Sequence, residues 1–379
     1  MTIVEYPPDG TSLVHERPTT LKPVIDAIDD SRYENPTWKG LLYVARDIVI
    51  YALMVWALVA IDAWWAVLLL WVASAFVVSG LFIIGHDAAH GALFRSNRLN
   101  SFIAHVTMLP SWHVYEGWVL GHNRIHHGHT CRQGMDFVWH PLTPEQYAGL
   151  PRWKKARHRI EWSWAGSLPY YLRDVWWNKM IAFDPPEKWA KAIRRDRMIV
   201  FAFVGVSAVA LGLLGFAQYG SPLGSAWMIF KVLVMPFLAF TWMIGWVVHM
   251  HHIDRDIRWW KRREWNKFHG QVEGTTILDV PFWMDFFLHR IFFHTAHHVD
   301  MRIPFYGLPG ACADIKAAFP DSVVERKLRM RDFFTNTRQC KLYDFDAQRW
   351  LTYAEAGEYL EHSASLGESG TDWIGTNSF

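Results

Sequence analysis

Residues 63 to 90 read AWWAVLLLWVASAFVVSGLFIIGHDAAH, an apolar run that ends in two histidines four positions apart. The part from 63 to 85 contains no charged side chain. At about 1.5 Å of rise per residue, a helix of that length exceeds the roughly 30 Å of hydrocarbon in a bilayer. The run therefore predicts a transmembrane helix that carries His86 and His90 at one end.

Three further stretches predict membrane helices of similar length. Residues 40 to 61 are apolar apart from Arg46 and Asp47, and only Asp62 separates them from the run above. Residues 198 to 217 and 226 to 248 form a second pair around a short polar turn. We expect two transmembrane hairpins, with Lys231 reaching the membrane interface and Pro236 kinking the last helix.

Charge outside the hairpins predicts their orientation. Two hairpins leave all the longer segments on one face. Residues 152–197 hold twelve Lys or Arg against five Asp or Glu, and residues 253–268 hold six against three. The excess of positive charge places that face in the cytoplasm. The predicted fold is an all-α, multi-pass integral membrane protein, with a cytoplasmic lead-in (1–40), a membrane and helical cap domain (41–355) and a disordered tail (356–379).

Composition agrees with a membrane protein that has a sizeable polar part. Apolar residues make up 51% of the chain, which has 23 Trp, yet the mean hydropathy is only +0.01. The three cysteines form no CxxC motif, which favours a reducing compartment. The first 40 residues lack an apolar core, so we expect no cleavable signal peptide. We expect no nucleic-acid partner.

Histidines are concentrated in four short clusters, all on the predicted cytoplasmic face. The clusters are HDAAH, HNRIHH, HMHH and HTAHH, and they contain His86, His90, His122, His126, His127, His249, His251, His252, His294, His297 and His298. Positions i and i+4 share a helix face. We therefore expect His86 to face with His90, His122 with His126, and His294 with His298. Adjacent His126 and His127 diverge and can reach two centres.

This pattern predicts a pair of metal ions. Imidazole is a ligand for zinc, copper, iron and nickel. One catalytic zinc needs about three protein ligands, so eleven candidates favour a dinuclear site. In the HMHH cluster we expect one ligand, His249 or His251, because both follow the helix end closely. Asp87, Asp136 and Asp300 are predicted to orient the imidazoles. Histidines outside the clusters are predicted to be packed or exposed.

The quoted motifs resemble the membrane-bound fatty acid desaturases, in particular the acyl-lipid Δ12/omega-6-like branch. The resemblance is carried by GHDAAHGALF (85–94), WVLGHNRIHHGHT (118–130) and HTAHHVDMRIPFYGLPGA (294–311), with VVHMHH after the fourth span. It extends from about Thr20 to about Pro320. At His252 the sequence departs from the branch, where a proline is expected.

The resemblance implies a di-iron site and a redox reaction on a fatty acyl chain. It implies that two irons are bound by His86, His90, His122, His126, His127, His294, His297 and His298, with His249 or His251 completing the set. Oxygen would be the co-substrate. The acyl chain would come from a membrane lipid, a thioester or a free acid. Electrons would come from a separate donor of the ferredoxin or cytochrome b5 type.

Several functions stay open at this point. The same kind of site could desaturate the chain, hydroxylate it, or decarboxylate a free fatty acid to a terminal alkene. A histidine-lined metal transporter is an alternative from another class, although its histidines should lie within the spans. A structural zinc site is a third. For the acyl chain we expect an apolar tunnel beside the metals, with Trp112, Trp118, Phe293 and Phe305 as candidate lining.

Overall fold

Four long helices form the apolar part of the molecule. The computed structural model describes residues 17–365. Within them, four helices are long and apolar enough to cross a membrane: α1 (Thr37–Ala60), α2 (Trp64–Ala89), α3 (Glu187–Tyr219) and α4 (Pro222–His252). They begin and end within a few residues of the four predicted spans, except that α3 starts earlier, in the basic segment. The prediction of four membrane helices is thus supported by length and composition.

Helices α2 and α4 lie at the centre and α1 and α3 lie outside them. About 61% of the most apolar window is buried in both α2 and α4, but only 22% in α1 and 11% in α3. Helix α2 packs against α4 and α1, and α3 packs against α4. The outer helices expose large apolar side chains such as Trp56 and Val206. Lipid can cover such side chains, whereas water would leave this much apolar surface unfavourable.

A buried lysine of α4 joins the 61–63 connection to the end of α3. Lys231 is fully buried, and its Nζ lies 2.7 Å from Asp62 Oδ1, 3.2 Å from Ile61 O and 3.1 Å from Tyr219 Oη. Asp62 also accepts a hydrogen bond from Tyr219 at 2.5 Å. Lys231 therefore reaches the 61–63 connection at the outer end of the spans and is buried there, and its extension to the membrane interface stays a prediction. A carboxylate and a carbonyl are within reach inside the protein, so the ammonium group is satisfied there.

Helix α4 is irregular around its proline. Its residues Phe230–Val234 form a π-helical turn, directly before Met235 and Pro236. Proline has no N–H to donate, and π-helical turns interrupt the regular hydrogen-bond pattern. Farther along, Gly245 lets the backbone of Ser167 approach closely, because a Cβ there would lie 2.5 Å from the Ser167 carbonyl oxygen.

Shorter helices and two small sheets build the polar part of the molecule. β1 (Thr276–Asp279) pairs in parallel with β2 (Val324–Lys327), and β3 (Leu342–Asp344) pairs antiparallel with β4 (Arg349–Leu351). The shorter α-helices are Lys22–Ile25, Asn97–Met108, Tyr115–Trp118, His127–His129, Pro144–Ala148, Arg152–Glu161, Ser167–Tyr170, Phe282–Leu288, His294–Val299, Leu308–Ala318, Met330–Gln339 and Tyr353–Ser365. The remaining helical segments are the 3-10 turns Asp30–Tyr33, Leu109–Ser111 and Pro320–Ser322 and the π-helical segments Val119–His126, Tyr171–Ile181 and His269–Glu273.

The predicted disordered tail starts inside a helix. Helix Tyr353–Ser365 covers the beginning of the range 356–379. The rest of that range, from 366, lies outside the described residues, as do residues 1–16 of the predicted lead-in.

Candidate metal centre

The histidines of all four clusters converge at the same end of α2 and α4. Two groups of four have one ring nitrogen from each member within 4.8 Å of the others. Group one contains His86, His90, His122 and His297, and group two contains His126, His252, His294 and His298. Each group draws on at least three separate parts of the chain. Group one lies at the end of α2 and group two at the end of α4, and each is completed by histidines of the HNRIHH and HTAHH clusters.

Group one is built on the last turn of α2. The Nε2 atoms of His86 and His122 are 3.1 Å apart, and the ring of His86 lies 4.7 Å from His90 and 4.5 Å from His297. Helix α2 ends directly after these residues because Gly91 takes a left-handed conformation with φ of 75°. The prediction that His86 and His90 face together is confirmed.

Group two is built on the last turn of α4. His252 Nε2 lies 3.2 Å from His126 Nε2 and 3.1 Å from His294 Nε2. The sequence prediction favoured His249 or His251, but α4 continues to His252, so the helix end is farther along than the apolar run indicates. His251 stacks on His294 at 3.7 Å beside the group. His249 points elsewhere and packs against Trp139 and Phe333.

The HNRIHH cluster lies largely within a π-helix, and this changes which of its histidines face each other. Residues Val119–His126 form a π-helix, in which hydrogen bonds span five residues instead of four. His122 Nε2 therefore lies 3.1 Å from His127 Nε2, five positions on, while His126 belongs to group two. The expectation that His122 and His126 face the same way is therefore not met, because the two rings fall into different groups. The expectation that His126 and His127 diverge is confirmed.

His127 lies between the two groups. Its ring stacks on His298 of group two at 4.1 Å and lies 4.7 Å from His297 of group one. All nine rings of the groups and His127 thus occupy one continuous cluster. Two ions bound there would be neighbours.

The ring nitrogens have the arrangement that a metal ion requires. The buried Nε2 atoms of His90, His297 and His298 have no hydrogen-bond partner among the described residues. An unsatisfied buried polar atom is costly. An ion about 2.1 Å from each imidazole nitrogen would satisfy these atoms, and ligands of one such ion lie within roughly 4.2 Å of each other, which the two groups approach.

Three rings are held so that Nε2 faces the cluster. His86 Nδ1 lies 3.2 Å from Asp87 Oδ1, His126 Nδ1 lies 3.0 Å from Asp136 Oδ1, and His252 Nδ1 donates to the Gly274 carbonyl at 3.1 Å. A ring whose Nδ1 donates to such an acceptor presents a bare Nε2 to a metal. Two of the three predicted carboxylates are therefore in place.

Asp300 has a different role from the predicted one. Its carboxylate accepts hydrogen bonds from Tyr33 at 3.1 Å and from the Arg302 guanidinium. The backbone turn after helix His294–Val299 directs it away from the imidazoles. Asp300 thus joins the N-terminal segment to the HTAHH cluster.

Electrostatics favour neutral rings. Burial, followed by the neighbouring imidazoles, lowers the pKa of His122, His127, His294, His297 and His298 well below the ordinary value. Neutral imidazole is the metal-binding form. Burial alone would raise the pKa of Asp136, but the adjacent His126 and hydrogen bonds outweigh it and the pKa is lowered. Asp136 is therefore ionised.

Of the histidines outside the clusters in the described part of the chain, most are packed and His362 is exposed, which fits the expectation of packed or exposed rings. His289 pairs with Asp47 at 2.5 Å, His113 bonds Tyr171 at 2.9 Å, and His158 bonds Tyr353 at 2.8 Å. His129, next to the second cluster, contacts Arg132 and Trp265 and does not join either group.

An apolar cavity lies against the histidines. His126, His252 and His294 form part of its wall, and most of the remaining wall is apolar or aromatic, including Trp118, Phe137, Trp139, Tyr170, Val175 and Met180. Of the four predicted lining residues, Trp118 lines it. Trp112 stacks on Phe237 at 4.0 Å, Phe305 packs on Tyr43, and Phe293 lies outside the wall, so these three are structural.

The chain is similar to known proteins over most of its length. The family model described as fatty acid desaturase matches residues 62–329. A sn-1 oleoyl-lipid 12-desaturase of Picosynechococcus sp. is 30% identical, over 94% of this chain and 99% of the relative.

The names of two further relatives also describe desaturases. A sn-1 acyl-lipid omega-3 desaturase (ferredoxin) of Nostoc sp. is 28% identical, over 79% of this chain and 81% of the relative. An omega-6 fatty acid desaturase, chloroplastic, of Arabidopsis thaliana is 27% identical, over 78% of this chain and 63% of the relative. The family-model match, residues 62–329, covers α2, α3, α4 and all four histidine clusters.

Proposed function

The chain belongs to the fatty acid desaturase family and is an oxidoreductase that desaturates fatty acyl chains, and we propose that it inserts a double bond at carbon 12 of an oleoyl chain carried by a membrane lipid. The position and the carrier follow the name of the 30% identical relative. The observation that carries the proposal is the placement of both histidine groups in the wall of an apolar cavity.

The proposed cofactor is a pair of non-haem irons, with O2 as co-substrate. One iron would be bound by group one and the other by group two, with His127 between them. His251, stacked on His294 with both ring nitrogens unpartnered among the described residues, is placed to line the substrate side. His249 is left out of the metal site. Imidazole suits iron, and the metal pair supplies the oxidising power that an unactivated C–H bond requires.

The reaction balances with one O2 and two external electrons. Two hydrogens leave adjacent carbons of the acyl chain, and O2 accepts their electrons together with two electrons and two protons from outside. The products are a double bond and two water molecules. The protein's share is positioning: aromatic residues such as Trp118 and Tyr170 confine the chain and exclude water beside the histidines.

For the topology we propose two transmembrane hairpins with a cytoplasmic cap. Asp62 of the 61–63 connection contacts Tyr219 at the end of α3 and Lys231 near the start of α4, while the histidines gather where α2 and α4 end. This supports hairpins that insert side by side with all their longer flanks on one face. The excess of Lys and Arg in residues 152–197 and 253–268 supports a cytoplasmic location for that face.

The proposal is tested by lipid analysis of a host that lacks polyunsaturated acyl chains. The chain is expressed with a ferredoxin and its reductase in cells supplied with oleate, and the position of new double bonds is read by mass spectrometry. We expect dienoic chains with the second double bond at carbon 12. The matched His126→Ala variant removes a ring of group two and should give none.

The same analysis distinguishes the alternative reactions. Hydroxylated acyl chains, or terminal alkenes one carbon shorter than the substrate, would overturn desaturation as the main reaction. A transporter would accumulate metal without any change in lipid products. The structure offers no support for it, because the clusters lie at helix ends and beyond them rather than at mid-span.

A further inference from the structure

We propose that the basic surface around Trp265 docks an acidic one-electron carrier protein, an inference that depends on the proposed function. The Trp265 surface consists of Arg132, Arg262, Trp265 and Lys267. The redox balance needs two electrons from outside, and an external carrier must come close to the histidine cluster to deliver them. The surface lies directly over group two.

A short chain of contacts joins the surface to group two. The half-buried Trp265 donates from its indole Nε1 to the Thr130 carbonyl at 2.8 Å. The Thr130 hydroxyl lies 3.2 Å from His298 Nδ1 and donates to the His126 carbonyl at 2.8 Å. A single residue thus separates Trp265 from two members of group two.

Cations surround the indole ring. The Arg132 guanidinium lies 5.1 Å from the ring centre and the Lys267 ammonium 5.6 Å from it. Arg132 also donates to the Arg262 carbonyl at 3.3 Å, and Arg262 donates to the Gly134 carbonyl at 3.3 Å. Arg262 and Lys267 are exposed. These contacts hold the charges in one patch.

Nearby carboxylates cancel only part of this charge, because the exposed Glu264 is one anion against the three cations Arg132, Arg262 and Lys267. Glu273 is paired with Arg17 at 2.8 Å and with His269 at 2.7 Å. Asp346 is paired with Lys261. The patch therefore presents a net positive potential, which steers an acidic partner toward it.

Little protein separates the Trp265 surface from the histidines. Gly128 follows His127, and a Cβ at Gly128 would meet no atom within 4 Å. Its carbonyl accepts a hydrogen bond from Lys267 Nζ at 3.1 Å. Because Gly128 has no side chain, a docked protein can approach the backbone next to His127.

The nature of the exposed residues favours a protein over a lipid surface. In residues 152–197, the other basic stretch, Trp153, Ile160 and Trp164 are exposed among the charges, as is typical of segments at a membrane interface. Within residues 253–273, all of which the structure describes, no large apolar side chain is exposed. This stretch is therefore suited to a water-soluble partner.

Binding of a purified plant-type [2Fe–2S] ferredoxin to the full-length protein in nanodiscs tests the proposal without turnover. The Arg262→Glu/Lys267→Glu variant should raise the dissociation constant at low salt by about tenfold or more. The control Lys188→Glu/Lys191→Glu makes the same charge change at exposed positions near the start of α3 and should change it less than about twofold. High salt should reduce the difference.

Three outcomes overturn the proposal. In the first, the test variant binds ferredoxin as well as the unsubstituted protein does. In the second, the control variant weakens binding as much as the test variant. In the third, the test variant loses binding to vesicles of anionic phospholipid but not to ferredoxin. The Arg262→Gln/Lys267→Gln variant serves as a milder replacement if the double reversal fails to fold. Since the assay measures binding, it distinguishes a wrong docking surface from a wrong reaction.

Discussion

His252 and His294 meet with their Nε2 atoms 3.1 Å apart, although 42 residues separate them in the chain. His252 is the last residue of α4, and His294 begins the short helix that carries the HTAHH cluster. This contact places the end of a membrane helix within the proposed metal centre. It also gives His252, and not His249 or His251, a place in group two.

Replacing His252 should remove metal, whereas replacing His249 should not. His252→Ala takes one of four nitrogens from group two, so we expect the iron content of the purified protein to fall from about two to about one per chain. His249→Ala changes only packing against Trp139 and Phe333. Elemental analysis checks both, and equal loss in the two variants would contradict the placement.

Asp136 should strengthen metal binding through His126. Asp136→Asn weakens the acceptor for His126 Nδ1 while keeping the size of the side chain, and we expect metal affinity to drop roughly 10–100-fold. Competition with a chelator measures this affinity. Asp300→Asn is the matched control: Asp300 bonds Tyr33 and Arg302, so its affinity should be unchanged. A larger drop in Asp300→Asn would sink the assignment.

The Lys231–Asp62 pair should stabilise the junction between the 61–63 connection and α4. Asp62→Ala leaves the fully buried Lys231 ammonium without its carboxylate, and we expect unfolding in detergent to become easier by about 1–3 kcal/mol. The double variant Asp62→Ala/Lys231→Met removes the charge as well and should recover part of the loss. Thermal melts of the unsubstituted protein and the two variants provide the comparison. A double variant that melts no higher than Asp62→Ala would argue against the coupling of the two residues.

Filling the cavity should block the substrate without removing the metal. Val175 is buried in the cavity wall, and Val175→Trp should lower conversion of oleoyl lipid by about tenfold or more. Iron content should stay unchanged. Val206→Trp, on the exposed surface of α3, is the control and should convert lipid normally. Normal conversion by Val175→Trp would show that the acyl chain lies elsewhere.

The sequence was most informative where physical constraints are strict. A membrane helix needs a long uncharged run, so the positions of α1, α2 and α4 could be predicted to within a few residues. The eight histidines of the HDAAH, HNRIHH and HTAHH clusters could be singled out as candidate ligands because repeated imidazole at helical spacing is rare without a metal. Their arrangement into two groups could not be obtained from spacing alone, because it depends on how α2 and α4 pack.

The departures from prediction at His122 and at His252 share one cause, which is the assumption of regular helices with known ends. The π-helix Val119–His126 pairs His122 with His127 instead of His126. Helix α4 continues past the apolar run and brings His252 to the centre. The pairing of Lys231 with Asp62 could not be predicted, because the two residues are 169 positions apart in the chain. A signal for His252 was present, since HMHH offers three histidines at a span end.

The order in which the ligands are synthesised limits when the centre can form. Group one needs His297, and group two needs His294 and His298, so neither is complete until the ribosome has translated past residue 298. By then α1 to α4 have all been made, since α4 ends at His252. In the proposed enzyme, membrane insertion therefore begins on a polypeptide whose metal site is incomplete, and a cell short of iron would accumulate inserted but inactive chains.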